Sequence, residues 1–118
     1  MIEKICVDFT KNGLYMFFKD YQVETFRFLL INDEQNSGDI HKHLLYISEI
    51  MISRASIINF LERMEMGNLN ILTYTIHTGK GGHHKKYSML ESFTTEQDII
   101  NHVERLIMNK ILSGVENL

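Results

Sequence analysis

The pattern of apolar and polar positions predicts three successive helices in the first half of the chain. Apolar residues recur at helical spacing over 21–31, after Asp20 as the predicted N-cap. A second helix is expected to start at residue 37 or 38 and to end near residue 46. The third has well-marked ends, because Ser53 is a good N-cap and Gly67 suits the positive φ that often ends a helix. Its apolar stripe is expected to pack on the first two helices and consists of Ile57, Phe60, Leu61 and Met64.

The pattern changes from helical to alternating after the third helix. Residues 69–78 are rich in β-branched side chains and predict a strand, residues 78–84 form a glycine-rich tip, and residues 85–90 predict the return strand. A final helix is expected from about Thr95 to Leu112, with Thr94 and Gln97 at capping-box spacing and Gly114 as its end. The second half of the chain is therefore predicted to be a β-hairpin followed by one long helix.

The N-terminal segment carries a weaker pattern. Ile2–Phe9 alternates loosely, and Lys11-Asn12-Gly13 is typical of a turn. A short strand or hairpin is the favoured interpretation, with a helical turn over Leu14–Phe18 as the alternative. The chain then divides into an extension (1–19), a central domain (20–92) and a C-terminal helical segment (93–118).

The outer face of the third helix is small and polar. Such a face suits the major groove of duplex DNA, where side chains near the N-terminus of a helix read base edges. The alternative is that any amphipathic surface helix has such a face. The candidate base-reading residues are Ser53, Arg54, Ala55, Ser56, Asn59 and Arg63.

The hairpin tip, TGKGGHHKK, combines glycines with basic side chains. Glycine permits a tight tip and a close approach of the backbone to phosphates, and lysine can contact phosphates or the minor groove. No acidic residue occurs between Glu65 and Glu91, so this window of the sequence is locally basic. The alternative is an ordinary solvated turn. The candidate DNA-contacting residues here are Lys80, Gly81, His83, His84, Lys85 and Lys86.

The last helix has an apolar stripe that is wider than a small three-helix core requires. A two-fold partner is therefore expected to cover part of it, and folding back onto its own domain is the alternative. The stripe consists of Ile99, Ile100, Val103, Leu106, Ile107 and Ile111. The predicted fold class is α+β: a winged helix-turn-helix, with a three-helix core and a β-hairpin wing, plus a C-terminal dimerisation helix.

Composition narrows the class of protein. A chain of 118 residues with 44% apolar and 23% charged residues suits one domain. The net charge of −3 is not that of a generally basic nucleic-acid-binding protein, so local patches matter. The single cysteine and the lack of a membrane span or signal segment predict a cytoplasmic protein. Neither G-x-S-x-G nor H-E-x-x-H occurs, and the histidine spacing does not suit zinc, so no enzyme, cofactor or metal site is expected.

Two motifs together resemble a known family. The helix ISRASIINFLERM and the tip TGKGGHHKKYS look like the archaeal branch of the penicillinase-repressor-like winged-helix regulators, over roughly Phe18 to Leu112. The resemblance implies a homodimeric transcriptional regulator, a repressor, that binds double-stranded DNA through the third helix and the hairpin. Bacterial members carry a longer C-terminal domain with a protease-sensitive site, so regulation by proteolysis is not expected here. The rival hypothesis is a winged helix that docks on a protein partner without direct DNA readout.

Overall fold

The computed structural model describes residues 7–79 and 82–116. Within these ranges it is an α+β structure with a short 3-10 helix at Gly13–Met16 and four α-helices: α1 (Asp20–Ile31), α2 (Ser37–Tyr46), α3 (Arg54–Met64) and α4 (Glu96–Glu116). Two antiparallel strands, β1 (Leu72–Gly79) and β2 (Gly82–Met89), lie between α3 and α4. The order of helices and strands from residue 20 onward is therefore confirmed, in a layout compatible with a winged helix.

The core forms where α1, α2 and α3 meet. The ring of Phe60 in α3 lies edge-on to the rings of Phe26, Tyr21 and Phe18, with centroids 5.3, 5.9 and 6.2 Å away. Edge-to-face pairs of this kind stabilise a core beyond the burial of their area. The predicted stripe of α3 is confirmed, because its four members are at most 2% exposed: Ile57, Phe60, Leu61 and Met64.

Short polar groups satisfy the first backbone N–H groups of the helices. Ser53 caps α3 as predicted, since its hydroxyl accepts from a backbone N–H one turn later at 3.1 Å. At α2, Asn36 is the N-cap, and its Oδ1 accepts from the Asp39 N–H at 2.8 Å. Asp20 was predicted to cap α1 but is the first residue of that helix, and Lys19 precedes it as the N-cap.

The hairpin is tied to the helical core by a third segment. β1 pairs with β2 along its whole length, starting at Leu72 opposite Met89. On the other edge of β2, Gln35 of the α1–α2 loop and Tyr87 exchange two backbone hydrogen bonds of 2.8 and 3.0 Å. The base of the hairpin is thereby fixed, whereas residues 74–79 of β1 are exposed to solvent.

The segment before α1 corrects the predicted strand or hairpin. Residues 13–16 form the 3-10 helix, and Leu14 within it is only 3% exposed. The Asp8 N–H donates to the Met16 carbonyl at 2.7 Å, which folds the chain back before α1. A helical turn is favoured because it packs this segment on α4, whereas a strand would point half of the apolar run to solvent. The remainder of the predicted strand, residues 2–6, lies outside the described residues.

α4 rests on the domain with its first half only. Arg27 of α1 donates to Glu96 in its first turn (Nε to Oε1, 2.6 Å). The helix continues to Glu116, whereas Gly114 was predicted to end it. The molecule measures 53 × 30 × 25 Å. None of the helices in the described ranges is long and apolar enough to cross a membrane.

The capping pair of α4 also differs from the prediction. The Asp98 carboxylate accepts from the backbone N–H groups of Thr94 and Thr95 at 2.8 and 2.9 Å, and the Asp98 N–H donates to Thr95 Oγ1 at 3.3 Å. The box is thus Thr95–Asp98, and Gln97, which was predicted to close it, donates to Asn101. These N–H donors lower the pKa of Asp98 to about 2.

We expect Asp98→Asn to lower the Tm at neutral pH, because it removes the charged acceptor at the start of α4. A carboxyl whose pKa falls on folding stabilises the protein above its unfolded pKa, near 3.8, and this contribution is lost as the pH falls through about 2. The Tm difference from wild type, measured by circular dichroism, should therefore shrink between pH 6 and pH 2. Asp33→Asn, in an exposed loop, is the matched control. A difference of constant size over this pH range would contradict the capping role.

Candidate nucleic-acid interface

α3 presents a polar face to solvent opposite its buried stripe. Ala55 and Asn59, both predicted to read bases, are exposed, and Glu62 is exposed beside them. Arg63 is half-buried, and its guanidinium carbon lies 6.0 Å from the centre of the Phe60 ring. Its alkyl part therefore packs against the core of the helix, and its charge reaches the surface from one flank of this face.

The two serines at the start of α3 are engaged with each other. Ser53 Oγ accepts from the Ser56 N–H at 3.1 Å and donates to Ser56 Oγ at 2.9 Å. Their first role is to cap the helix. The Ser56 hydroxyl accepts from Ser53 and keeps its own hydrogen as a donor, although Ser56 is less exposed than Ser53.

Arg54 brings the starts of α2 and α3 together. Its Nη2 and Nε lie 3.3 and 3.4 Å from Ser37 Oγ in the first turn of α2. A Cβ at Gly38 would stand 3.2 Å from Asn36 Oδ1, a tight contact, so the glycine leaves room for the N-cap side chain of α2. Arg54 adds a positive charge where α2 and α3 begin, and the Asp39 carboxylate in the first turn of α2 offsets part of it.

The hairpin base holds a cluster that sequence reasoning missed, the Glu65 cluster of Glu65, Tyr74, Lys85 and Tyr87. Glu65 Oε1 accepts from Lys85 Nζ and from the Tyr87 hydroxyl, both at 2.8 Å. Lys85 Nζ also lies 4.2 Å from the centre of the Tyr74 ring. The hydrogen bond to Glu65 raises the pKa of Lys85, while burial and then the same carboxylate raise the pKa of Tyr87.

Lys85 therefore joins the hairpin to the end of α3. This differs from the predicted phosphate contact, because a carboxylate already neutralises the lysine charge. Glu65 is the C-cap residue of α3 and also bridges to Leu72 at the start of β1. One residue thus links the end of α3 to both strands of the hairpin.

Lys86 lies on the opposite face of β2, as consecutive strand residues must. It stands across from Thr75, and it forms no ion pair within 4.0 Å among the side chains described here. His84 is exposed nearer the tip, opposite His77. The other predicted contacts of the tip, Lys80 and Gly81 with the side chain of His83, lie outside what the structure describes.

The acid-free window exists in the sequence but not in space. Glu65 contacts Lys85. Glu34 of the α1–α2 loop also lies beside the hairpin: its Oε1 is 4.0 Å from His77 Nε2, and its backbone N–H donates to Ser88 Oγ at 2.9 Å. The position of Glu65, at the end of a helix just before a strand, could have identified it as a residue close to the hairpin. No local signal marks Glu34, because it is the pairing of Gln35 with Tyr87 that brings the α1–α2 loop to the hairpin.

The histidines of α2 serve packing. His41 Nε2 lies 3.1 Å from the carbonyl oxygen of Ile52, and the His43 ring stacks on Phe28 at 4.3 Å between centroids. In the portion of the chain that is described, no three side chains of the metal-binding types converge.

The predicted dimerisation helix has a buried, a half-buried and an exposed part. Ile99 and Val103 are fully buried in the domain's own core, so the prediction that they contact a partner is wrong. Ile100, Leu106 and Ile107 are half-buried against that core. The exposed part is the far end of the helix, where the side chains are 52–56% exposed: Met108, Ile111 and Leu112. The stripe is wide because it covers both the 3-10 helix and the end of the helical core.

The chain has no match among family models, curated proteins or solved structures. Three features of the geometry bear on function. They are an exposed polar face on α3, the joint start of α2 and α3 where Arg54 contacts Ser37, and a hairpin pinned at its base by the Glu65 cluster.

Proposed function

We propose that this protein is a sequence-specific DNA-binding transcriptional regulator, a repressor, that acts as a homodimer through a winged helix-turn-helix. One observation carries the proposal: α3 keeps an exposed polar face, and the strands that follow it are locked to its end by Glu65. A helix that buries one side and offers the other to solvent, beside a protruding hairpin, is the arrangement that reads duplex DNA with helix and wing.

The dimensions of α3 fit the major groove. Its eleven residues extend about 16 Å, and the groove, about 12 Å wide, admits one α-helix. Ala55 is small enough to approach a thymine methyl group, and the Asn59 amide can pair with adenine. Ser56 and Arg63 flank these two residues. Ala55 and Asn59 are therefore expected to determine the sequence preference, with Ser56 and Arg63 adding contacts on either side.

Positioning on the phosphates falls to groups around that face. We expect Arg54, at the joint start of α2 and α3, to contact a phosphate of one strand, and Lys86 to contact a phosphate beside the hairpin. His84 is expected to extend this contact towards the tip, together with Lys80, which the sequence alone proposes. Charged contacts of this kind fix register and orientation without reading sequence.

The homodimer rests on the far end of α4. Met108, Ile111 and Leu112 expose apolar surface on a helix that projects beyond the domain. A second copy related by a two-fold axis would cover this end and present two reading helices to an inverted repeat. The dimer is thus expected to bind a palindromic site.

Salt dependence tests the proposal. Binding of the full chain to a labelled random-sequence duplex, followed by fluorescence anisotropy, should weaken with a log–log slope of roughly −0.9 for each phosphate contact. With Arg54, Lys86 and the tip on both protomers engaged, the slope should be several units. Binding that is absent at low salt, or insensitive to salt, would refute the DNA-binding function.

The two adjacent lysines of β2 give a matched pair of variants. Lys86→Ala should flatten the salt slope by about one unit per protomer and weaken binding on every duplex, because it removes a phosphate contact. Lys85→Ala removes a charge that Glu65 neutralises, so the slope should change by less. Equal effects of the two substitutions on the slope would contradict the assignment of Lys85 to the Glu65 cluster.

A second candidate function is a winged helix that docks on a protein. The exposure of Ile76 at 62% and Tyr74 at 38% on one face of the hairpin, with the neutralised Lys85 between them, favours it. Partner binding through this face would depend little on salt and would be lost in Ile76→Asp. In the DNA-binding account Ile76→Asp is expected to weaken duplex binding only modestly, through charge repulsion.

A further inference from the structure

We propose that Glu62 determines specificity by accepting a hydrogen bond from the exocyclic amino group of a cytosine in the major groove. This inference deepens the DNA-binding function proposed above and rests on it. It adds an acidic group to a surface whose other candidates, Arg54, Ala55, Ser56, Asn59 and Arg63, are neutral or basic.

The helical phase places Glu62 at the centre of the reading face. Ala55 and Glu62 are seven positions apart, which on an α-helix leaves them only about 20° out of line. Asn59 stands between them, and all three are exposed. The buried stripe from Ile57 to Met64 lies on the opposite side of α3. A groove that receives Ala55 and Asn59 therefore also receives the Glu62 side chain.

The backbone at Glu62 is held in place and its side chain is exposed, with its charge close enough to Lys85 and Tyr87 to help raise the pKa of each. Its carbonyl oxygen accepts from Asn68 Nδ2 at 2.9 Å and from the Glu65 N–H at 3.3 Å, which fixes the last turn of α3. No ion pair within 4.0 Å holds the Glu62 carboxylate among the side chains that are described. Glu65, one turn later, differs in this respect, because Lys85 and Tyr87 occupy it.

The chemistry of a carboxylate selects among bases. An ionised carboxylate only accepts hydrogen bonds, and cytosine offers the N4 amino group as a donor in the major groove. Guanine presents the acceptors O6 and N7, and thymine presents O4, so each repels a carboxylate. Adenine also offers a donor, its N6 amino group, but the acceptor N7 beside it repels the carboxylate, so cytosine is preferred. The same charge repels the phosphates of every duplex, and only a hydrogen bond to cytosine at this position offsets that cost.

The spacing along α3 locates the base. Seven residues at about 1.5 Å each separate Ala55 from Glu62 by roughly 10 Å, or about three base pairs along the duplex. Ala55 and Glu62 would therefore contact positions at opposite ends of one half-site, with Asn59 between them. Glu62 is expected to define the edge of the half-site nearest the hairpin.

The test is selection of duplexes from a random pool by the full chain and three variants. Wild type should enrich cytosine at one half-site position, with other bases bound about 5- to 100-fold more weakly. Glu62→Ala should lose the preference at that position alone and gain affinity for non-specific DNA. Glu62→Gln should move the preference to adenine, because an amide can donate to N7 and accept from N6. Glu91→Gln, at an exposed site after the hairpin, is the control for charge and should leave the motif unchanged.

The outcomes separate this inference from the function on which it rests. If wild type enriches a motif and Glu62→Ala enriches the same motif at every position, the role of Glu62 is refuted and the DNA-binding function stands. If wild type enriches no motif, both are refuted. A preference for adenine that appears in Glu62→Gln at this one position would assign the contact to the Glu62 side chain, because a structural effect would weaken the preference at several positions at once.

Discussion

Phe60→Ala is expected to lower the free energy of unfolding by about 3–5 kcal/mol. Phe60 is fully buried, and its ring is the one that contacts all three of Phe18, Tyr21 and Phe26. Truncation removes these edge-to-face pairs and leaves a cavity between α1 and α3, which the surrounding helices can fill only in part. Since domains are stable by about 5–15 kcal/mol, this loss is a large fraction of the total.

Urea denaturation followed by circular dichroism measures this effect as a lowered midpoint with an unchanged slope. Phe9→Ala makes the same substitution at a side chain that is 84% exposed and should change stability by less than about 0.5 kcal/mol. A loss below about 1 kcal/mol in Phe60→Ala would contradict the packing of α3 described here. So would equal effects of the two substitutions.

The second large effect is expected at the far end of α4. Ile111→Glu combined with Leu112→Glu places two charges on apolar surface that the proposed dimer buries, and should convert the protein to a monomer. Two linked half-site contacts bind with an effective concentration that can add a factor of roughly 10² to 10⁴. Affinity for an inverted repeat should fall by about that factor, while affinity for a single half-site should not change.

Analytical ultracentrifugation and titration of the two duplexes check this prediction. Asn109→Glu adds a charge at an exposed polar position on the same turn of α4 and should leave the dimer intact. A double variant that stays dimeric, or a wild-type protein that is monomeric at micromolar concentration, would refute the proposed interface.

The sequence predicted the elements whose determinants are local. Ser53 and the stripe from Ile57 to Met64 lie within one helix, so spacing alone gave its start and its buried side. The α4 cap shows where such reasoning becomes ambiguous. Thr94–Gln97 and Thr95–Asp98 share the same spacing, and the short Asp98 carboxylate, which reaches two N–H groups at once, decides between them.

The remaining features depend on contacts between distant residues. The sequence predicts that Lys85 contacts phosphate, whereas in the structure it pairs with Glu65. The sequence does not show this pair, because it depends on the register of β2 in the folded hairpin. The dimer stripe was overestimated for a related reason. Leu14 lies in a 3-10 helix and not in a strand, so the N-terminal segment packs on α4 and covers part of its apolar surface.

The most direct test of DNA reading is selection of duplexes from a random pool by the wild-type chain. We expect enrichment of an inverted repeat whose half-sites are centred about 10 base pairs, or a multiple of one turn, apart. A pool that remains random after several rounds would contradict the claim that this protein reads DNA sequence.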